Sequence, residues 1–461
     1  MGRGQTKRRK VTPAVAAAIF FLHAVIMACS LTGTGGTVND GDGDTVSSVT
    51  PSETVRPADT ATITPTATST PTPGPGTFFD NDQFSEAGYL LPLTVQYISD
   101  DEAILYFELE IPAPGYVLYR QESVPISDAS FIPLDSGESV HLLTLDGLEP
   151  DSVYQLDIGL EGENGVLYPP AFRGEAWDTI STHTLPENPE RLRIASIGDA
   201  GFGEEITHQL ISMIADEELD FVFYTGDVVT NMWEEAGDPF LSYWLKYYQN
   251  FRPVLEKMTI YPVPGNHEYD YAARWQDLPF YFHAFPAHPG IAPGQQGFDG
   301  NRHWYALELG DIQFLMLDSE TIYGAPGREE MQAWLEERLK DDRFSVTIPV
   351  HHIPPFTSGI YTEEGIPFQQ LWHPLYVEAG VPLVLSGHDH NYQRLLVDGI
   401  TYMVSGGGSS ITYAIDELLP QNQFARRISH YLILEVRPDA LELWATSYKG
   451  EQIDHVIIPL D

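Results

Sequence analysis

Cysteine is almost absent from this chain: Cys29 is the only one in 461 residues. An intrachain disulfide is therefore excluded, and any bound metal ion must rely on His, Asp, Glu or Asn. Positive charge is also scarce, with 24 Lys and Arg against 66 Asp and Glu and a formal charge of -42. Such a balance argues against nucleic acid or anionic lipid held on a basic face, although an anionic ligand stays possible where bound cations dominate the local field. Long apolar runs are missing except from Val11 to Ala28. What remains, 43% hydrophobic and 12% aromatic residues, is enough for a globular protein of two or three domains with a sizeable core.

The apolar run follows a basic head (Arg3, Lys7, Arg8, Arg9, Lys10) and ends in Ile26-Met27-Ala28-Cys29. This order resembles a bacterial lipoprotein signal. The resemblance implies removal of residues 1–28, lipidation of Cys29 and an extracytoplasmic, membrane-anchored location at a bacterial cell surface. An uncleaved anchor with an incidental cysteine is the alternative, and the run is barely long enough to span a bilayer. Residues 29–78 are mostly Thr, Ser, Pro, Gly, Asp and Ala, which cannot form a core. As a coil this linker spans roughly 40 Å.

From 86 to 186, short strand-like runs alternate with turn residues, as in a small all-β sandwich. Leu148-Glu149-Pro150-Asp151-Ser152-Val153-Tyr154 resembles the Leu-x-Pro-x-x-x-Tyr corner of fibronectin type III domains. No titratable cluster in this segment points to chemistry, so it reads as an accessory domain.

From 190 to 461 the pattern becomes α/β. Apolar runs at 192–197, 221–224, 259–263, 312–317, 346–350, 383–386, 400–404, 430–435, 441–445 and 455–458 read as strands, and 204–217 and 329–340 have helical apolar spacing. Five strands end in turns that carry Asp, Asn or His: Gly198-Asp199, Gly226-Asp227, Pro264-Gly265-Asn266-His267-Glu268, His351-His352-Ile353-Pro354, and Gly387-His388-Asp389-His390. Each alone has an ordinary structural reading, since Gly-Asp is a common turn pair and most histidines are packed or solvated. Together they supply the O and N donors that bind a pair of divalent ions. Extended backbone after the strand at 383–386 predicts that His388 and His390 project to one side while Asp389 faces away.

This series resembles the calcineurin-like metallophosphoesterase superfamily and is most similar to purple acid phosphatase-like members, which carry a fibronectin-like domain before the catalytic one. The resemblance covers about residues 88–459. It implies a four-layer αββα sandwich with two divalent or trivalent ions (Fe, Mn or Zn), and hydrolysis of small phosphate monoesters by a metal-activated hydroxide. Carried over by motif, Asp199 and His390 bind the first ion, Asp227 bridges, and Asn266, His352 and His388 bind the second. His267 is implied to sit by the phosphate and protonate the leaving oxygen or stabilise charge. His351 competes with His352, which has the family spacing to Pro354. Two alternatives attach to the same residues: a phosphodiesterase acting on nucleotides or glycerophosphodiesters, and a catalytically weak cell-surface binding lipoprotein.

Departures from the family pattern fall on the first ion. Gly201 stands where many members have a histidine, and Thr230 where purple phosphatases have a tyrosine. Asn231, His208 or water is left to complete that site, and Thr230 predicts no purple tyrosinate band. The aromatic and His-rich stretch 269–304, including Tyr271, Trp275, His283, His288 and His303, reads first as a packed loop and second as a substrate-shaping lid.

Overall fold

The computed structural model describes residues 83–460 apart from 163–165, 178, 188, 203, 230–243, 270–277, 288–302 and 416. The signal-like segment with Cys29, the linker, Thr230, Asn231, Tyr271, Trp275 and His288 lie outside the described residues. No helix of the described residues is long and apolar enough to cross a membrane.

Residues 89–183 form two sheets. Strands β1 (Tyr89–Ile98), β2 (Glu102–Leu109), β3 (Gly115–Gln121), β4 (Ser130–Pro133), β5 (Val140–Asp146) and β6 (Val153–Glu161) are followed by the short β7 (Leu167–Tyr168), β8 (Ala171–Phe172), β9 (Glu175–Ala176) and β10 (Ile180–His183). The orders are β5-β2-β1-β8-β9 and β10-β6-β3-β4, with β7 on β6. Burial alternates along β6, the period of a strand with one face on a core. Tyr154 accepts the Glu149 N–H at 2.9 Å, and Leu148 beside it is buried, so the 148–154 stretch closes as a tyrosine corner.

The remainder holds two larger mixed sheets. The first contains β11 (Leu192–Ile197), β12 (Phe221–Tyr224), β13 (Ile260–Pro262), β21 (His430–Arg437), β22 (Ala440–Ser447) and β23 (Gln452–Pro459), in the order β13-β12-β11-β21-β22-β23. In the second, β14 (Tyr305–Leu309), β15 (Ile312–Leu317), β16 (Val346–His351), β17 (Leu383–Ser386), β18 (Tyr392–Val397), β19 (Ile400–Ser405) and β20 (Asn422–Arg426) take the order β14-β15-β16-β17-β19-β18-β20. The site-bearing strands pair in parallel, β11 with β12 and β12 with β13, and β15 with β16 and β16 with β17. Every residue of β12, β15 and β17 is buried, as strands covered on both faces require. Pro349 interrupts β16 and cannot donate to a neighbour; β16 runs in register with β15 from Val346 to His351 but meets β17 only at Val350 opposite Leu385.

Phe221 and Phe223 of the first sheet touch Phe314 of the second, with ring centroids 6.3 and 4.9 Å apart, so the sheets share one core. Helices α1 (Glu204–Ala215) and α2 (Leu245–Leu255) add Leu210, Ile211, Ile214, Phe251 and Val254 to it. On the far face of the second sheet, α4 (Arg328–Arg338), α5 (Ile366–Leu371) and α6 (His373–Glu378) bury Trp334, Phe368 and Tyr376 in a separate cluster with Leu315, Val384 and Tyr402. The layers are therefore helix, sheet, sheet, helix.

The sandwich is joined firmly to these layers. Tyr261 of β13 donates to the Ile98 carbonyl at 3.3 Å and accepts its N–H at 3.2 Å, and Ser181 donates to the Glu256 carbonyl at 2.7 Å. Helix α3 (Pro279–Ala284) joins in through His283, whose Nε2 meets Glu108 of β2, and through the Ala284 carbonyl, which accepts from Gln96. With Tyr281 and Phe285 buried as well, the described part of the aromatic stretch is packing.

Candidate metal centre

The strands of the two sheets end at a common place. Asp199, Asp227 and His388 all take the left-handed backbone region, with φ of 59°, 57° and 66°. Non-glycine residues hold such angles at a cost of about 1–3 kcal/mol each, and Asp and His tolerate them better than most. His388 is therefore in a tight turn and not in the extended backbone its spacing predicts. Asp389 does face away: it accepts from Thr357 Oγ1 at 2.5 Å and from Asn391 Nδ2 at 3.1 Å. Gly226, at φ 91°, has no room for a Cβ, which would strike the His352 imidazole.

Two buried groups converge there. Asp227, His352 and His388 offer ligand atoms within 4.8 Å of one another, and so do Asp199, Asp227 and His390. Asp227 belongs to both. His352 Nε2 lies 3.3 Å from Asp227 Oδ1, 3.1 Å from Asn266 Oδ1 and 3.2 Å from His388 Nδ1. His390 Nε2 lies 3.2 Å from Asp199 Oδ1.

The nitrogens pointing outward fix which atom faces the centre. His352 Nδ1 donates to the Thr225 carbonyl at 2.8 Å, His390 Nδ1 to the Ile411 carbonyl at 3.0 Å, and His388 Nε2 to the Glu364 carboxylate at 3.0 Å. Nε2, Nε2 and Nδ1, respectively, face inward, as the ligating nitrogens of metal-bound histidines do. Meanwhile Asp199 Oδ1 is buried without a hydrogen-bond partner among the described residues. Carboxylate, amide and imidazole ligand atoms crowd together at 3.1–3.3 Å, an arrangement a pair of cations would satisfy. The donor set thus fits the two ions.

Electrostatics agree with that fit. Burial opposes the His352 cation, but the carboxylates of Asp227 and Asp199 outweigh it and hold the ring up to about 10. His390 is raised against burial by Asp199 and Asp227. Asp227 is held well below the usual carboxylate range, burial being overcome by His352 and His267. In the metal-free protein, protons on the histidines balance the carboxylates, and incoming cations must displace them.

The neighbours have supporting parts. Glu268 accepts from the backbone N–H groups of Asp227, Val229 and Gly265 at 3.0, 3.1 and 2.7 Å, tying the turn after β12 to the turn after β13. Burial and the Asp227 charge push it up to about 8, while the three N–H donors favour its ionised form. His267 stays partly exposed, with Nε2 3.8 Å from Asp227 Oδ2 and its N–H donated to Asp227 Oδ1 at 3.0 Å. His351 turns the other way: its Nδ1 donates to the Ile353 carbonyl at 2.9 Å, its ring packs on Phe368 and Trp372, and burial lowers it to about 3. His208 is exposed, bonded to Asn250 Oδ1 at 2.8 Å, and is not in either converging group. His303 pairs with the buried Asp318 at 3.0 Å. Sequence reasoning missed Thr225 and Glu364, while Glu268 stood inside the Gly265-Asn266-His267-Glu268 turn.

With the geometry in place, the comparisons define the class. Residues 192–392 match the family model of calcineurin-like phosphoesterases, and the chain carries a calcineurin-like phosphoesterase domain. It is 24% identical over 225 residues to purple acid phosphatase 22 of Arabidopsis thaliana, covering 45% of this chain and 46% of that protein. To purple acid phosphatase 18 of the same plant it is 23% identical over 310 residues, covering 66% and 63%. Purple acid phosphatase PPD1 from yellow lupin (Lupinus luteus) seeds shares the fold with a TM-score of 0.61 at 17% identity, over 81% of this chain and 74% of that one. The chain spans 46%, 63% and 51% of the first three curated relatives it matches.

Proposed function

We propose that this protein is a metal-dependent phosphoesterase that hydrolyses small phosphate monoesters. The reading rests on one observation, two buried groups of His and Asp donors that share Asp227. When bound, two ions supply an activated water and neutralise the phosphoryl oxygens. Asp199, Asn266, His352, His388 and His390 would hold them with Asp227 as the bridge. His267, the histidine with an exposed edge 3.8 Å from Asp227, is the side chain placed to protonate the leaving oxygen or stabilise its charge. The lipoprotein-like signal and the linker support an exported enzyme anchored through Cys29.

Hydrolysis of p-nitrophenyl phosphate by the purified protein, with two metal equivalents, tests the reading. Activity should vanish on chelation and in Asp227→Ala; activity persisting in that variant defeats it. Faster cleavage of bis-p-nitrophenyl phosphate would move the assignment to a phosphodiesterase. A well-folded protein without bound metal or activity would be a binding lipoprotein. Mass spectrometry of the mature protein decides the anchor, since a diacylated Cys29 at the amino terminus is expected and an unmodified residue contradicts it.

A further inference from the structure

The residues that alternate with the two converging histidines build a structure of their own. Along His388-Asp389-His390-Asn391-Tyr392-Gln393 the histidines serve the centre, while Asp389, Asn391 and Gln393, each two residues from the next, turn away from it and are fully buried. Gln393 Nε2 donates to Asn391 Oδ1 at 2.7 Å and to Thr357 Oγ1 at 2.8 Å. Asn391 Nδ2 then donates to Asp389 Oδ1 at 3.1 Å, and Thr357 Oγ1 to Asp389 Oδ2 at 2.5 Å. These side chains close a ring in which both arms carry protons from the Gln393 amide to one carboxylate. Its direction is fixed from outside. Gln393 Oε1 accepts the Ser358 N–H at 2.6 Å, and Thr357 Oγ1 also accepts the Gly359 N–H at 3.0 Å, so the single Thr357 proton is left for Asp389. Breaking an arm would strand a buried carboxylate oxygen, which makes the ring costly to open.

Thr357 comes from the stretch that follows His352, not from the turn that carries His388. That stretch lies hard against the ring: a Cβ on Gly359 would stand 1.9 Å from Asp389 Oδ2. Thr362 Oγ1 carries the clamp onward by sharing its proton between the Thr357 and Gly359 carbonyls, at 3.2 and 2.9 Å. Two residues further is Glu364, whose carboxylate meets His388 Nε2 at 3.0 Å and whose carbonyl accepts from Tyr323. With its side chain 42% exposed, Glu364 has little packing of its own and is held mainly through the backbone that carries it. We propose that Asp389 and Thr357 are positioning residues: their ring clamps residues 357–364 to the ligand turn, holds Glu364 on His388, and so strengthens the ion that His352 and His388 share. This rests on the two-ion part of the reading above.

Graded chelation of the full-length, metal-loaded protein tests it, read as metal equivalents retained. Thr357→Val keeps the side-chain shape and removes the hydroxyl. The ion beside His352 and His388, identified as the one kept in His390→Ala, should leave at a chelator concentration roughly three- to tenfold lower, while the ion beside Asp199 and His390 leaves as before. Thr357→Ser should restore the native profile. Asp389→Asn sets an amide N–H group against a donor of the ring and should act in the same direction as Thr357→Val. Neither change should add to the effect of Glu364→Gln, because both act through that carboxylate. An unchanged profile, an equal loss of both ions, no rescue by Thr357→Ser, or full additivity with Glu364→Gln overturns the proposal. If Thr357→Val does not fold, Asp389→Asn decides by the same split between the ions and the same non-additivity. A native protein that holds no metal removes the two-ion reading itself; a native profile matched by Thr357→Val removes only this inference.

Discussion

The half of the centre around His352 and His388 is built more completely than the half around Asp199 and His390. In the former, Thr225 and Glu364 each hold an imidazole from behind, and the Asn266 amide stands 3.1 Å from His352. The latter has His390 held by Ile411, and Asp199 Oδ2 accepting the His388 N–H at 2.9 Å, but two private donors among the described residues. Gly201 is near enough to donate its N–H to the Asp227 carbonyl at 3.4 Å, and it brings no further ligand. Affinity follows the number and rigidity of donors, so the first ion should be the weaker and more dependent on water or substrate.

Removing the bridge should erase the comparison, because both halves share it. Asp227→Ala is expected to lower kcat/KM by about three orders of magnitude or more and to release at least one metal; elemental analysis and kinetics on one preparation check this. Graded chelation should sharpen it, with one equivalent leaving at a chelator concentration at least about tenfold lower than the other. His390→Ala should then leave one equivalent, the tight one. Simultaneous loss of both ions would mean that the halves are equivalent. Glu364→Gln attacks the stronger half from behind and should weaken its ion roughly tenfold, narrowing the gap. An unchanged chelation profile would show that Glu364 does not orient His388.

A smaller effect belongs to neither half and sets their baseline. Burial holds His430 down to about 4, with Nδ1 donated to the Ile428 carbonyl and Nε2 facing Ser405 Oγ. Its folded pKa lies below the unfolded value, so its contribution is complete above about pH 6.5 and is lost as pH falls towards 4. Between pH 6.5 and 5.5 the metal-free protein should lose about 1 kcal/mol from this group. Urea unfolding of native and His430→Gln protein tests this: the variant should lose less, and equal losses would acquit His430.

How far the residues themselves disclosed this arrangement varies with the kind of interaction. Strands such as Phe221–Tyr224 and Leu383–Ser386 were legible because each is an unbroken apolar run stopped by a turn. The edge strand Asn422–Arg426 was not, since it is mostly polar and none of its residues is fully buried; β18 was hidden because it opens with Tyr392-Gln393-Arg394 and so has no unbroken apolar run. Donor types at strand ends identified the six converging residues, but spacing predicted extended backbone where His388 is left-handed. Nor could spacing reveal Glu364, which reaches His388 from a loop, or the Thr225 carbonyl, which lies 127 residues from His352. Contacts that depend on how two sheets meet leave no local periodicity to read.

Anomalous diffraction from crystals of the metal-loaded protein, collected at the metal edge, addresses the account most directly. Two peaks are expected on either side of the Asp227 carboxylate, one beside His390 and the other beside His352 and His388, each within about 2.0–2.2 Å of its ligand atoms. A lone peak, or peaks remote from Asp227, would contradict it.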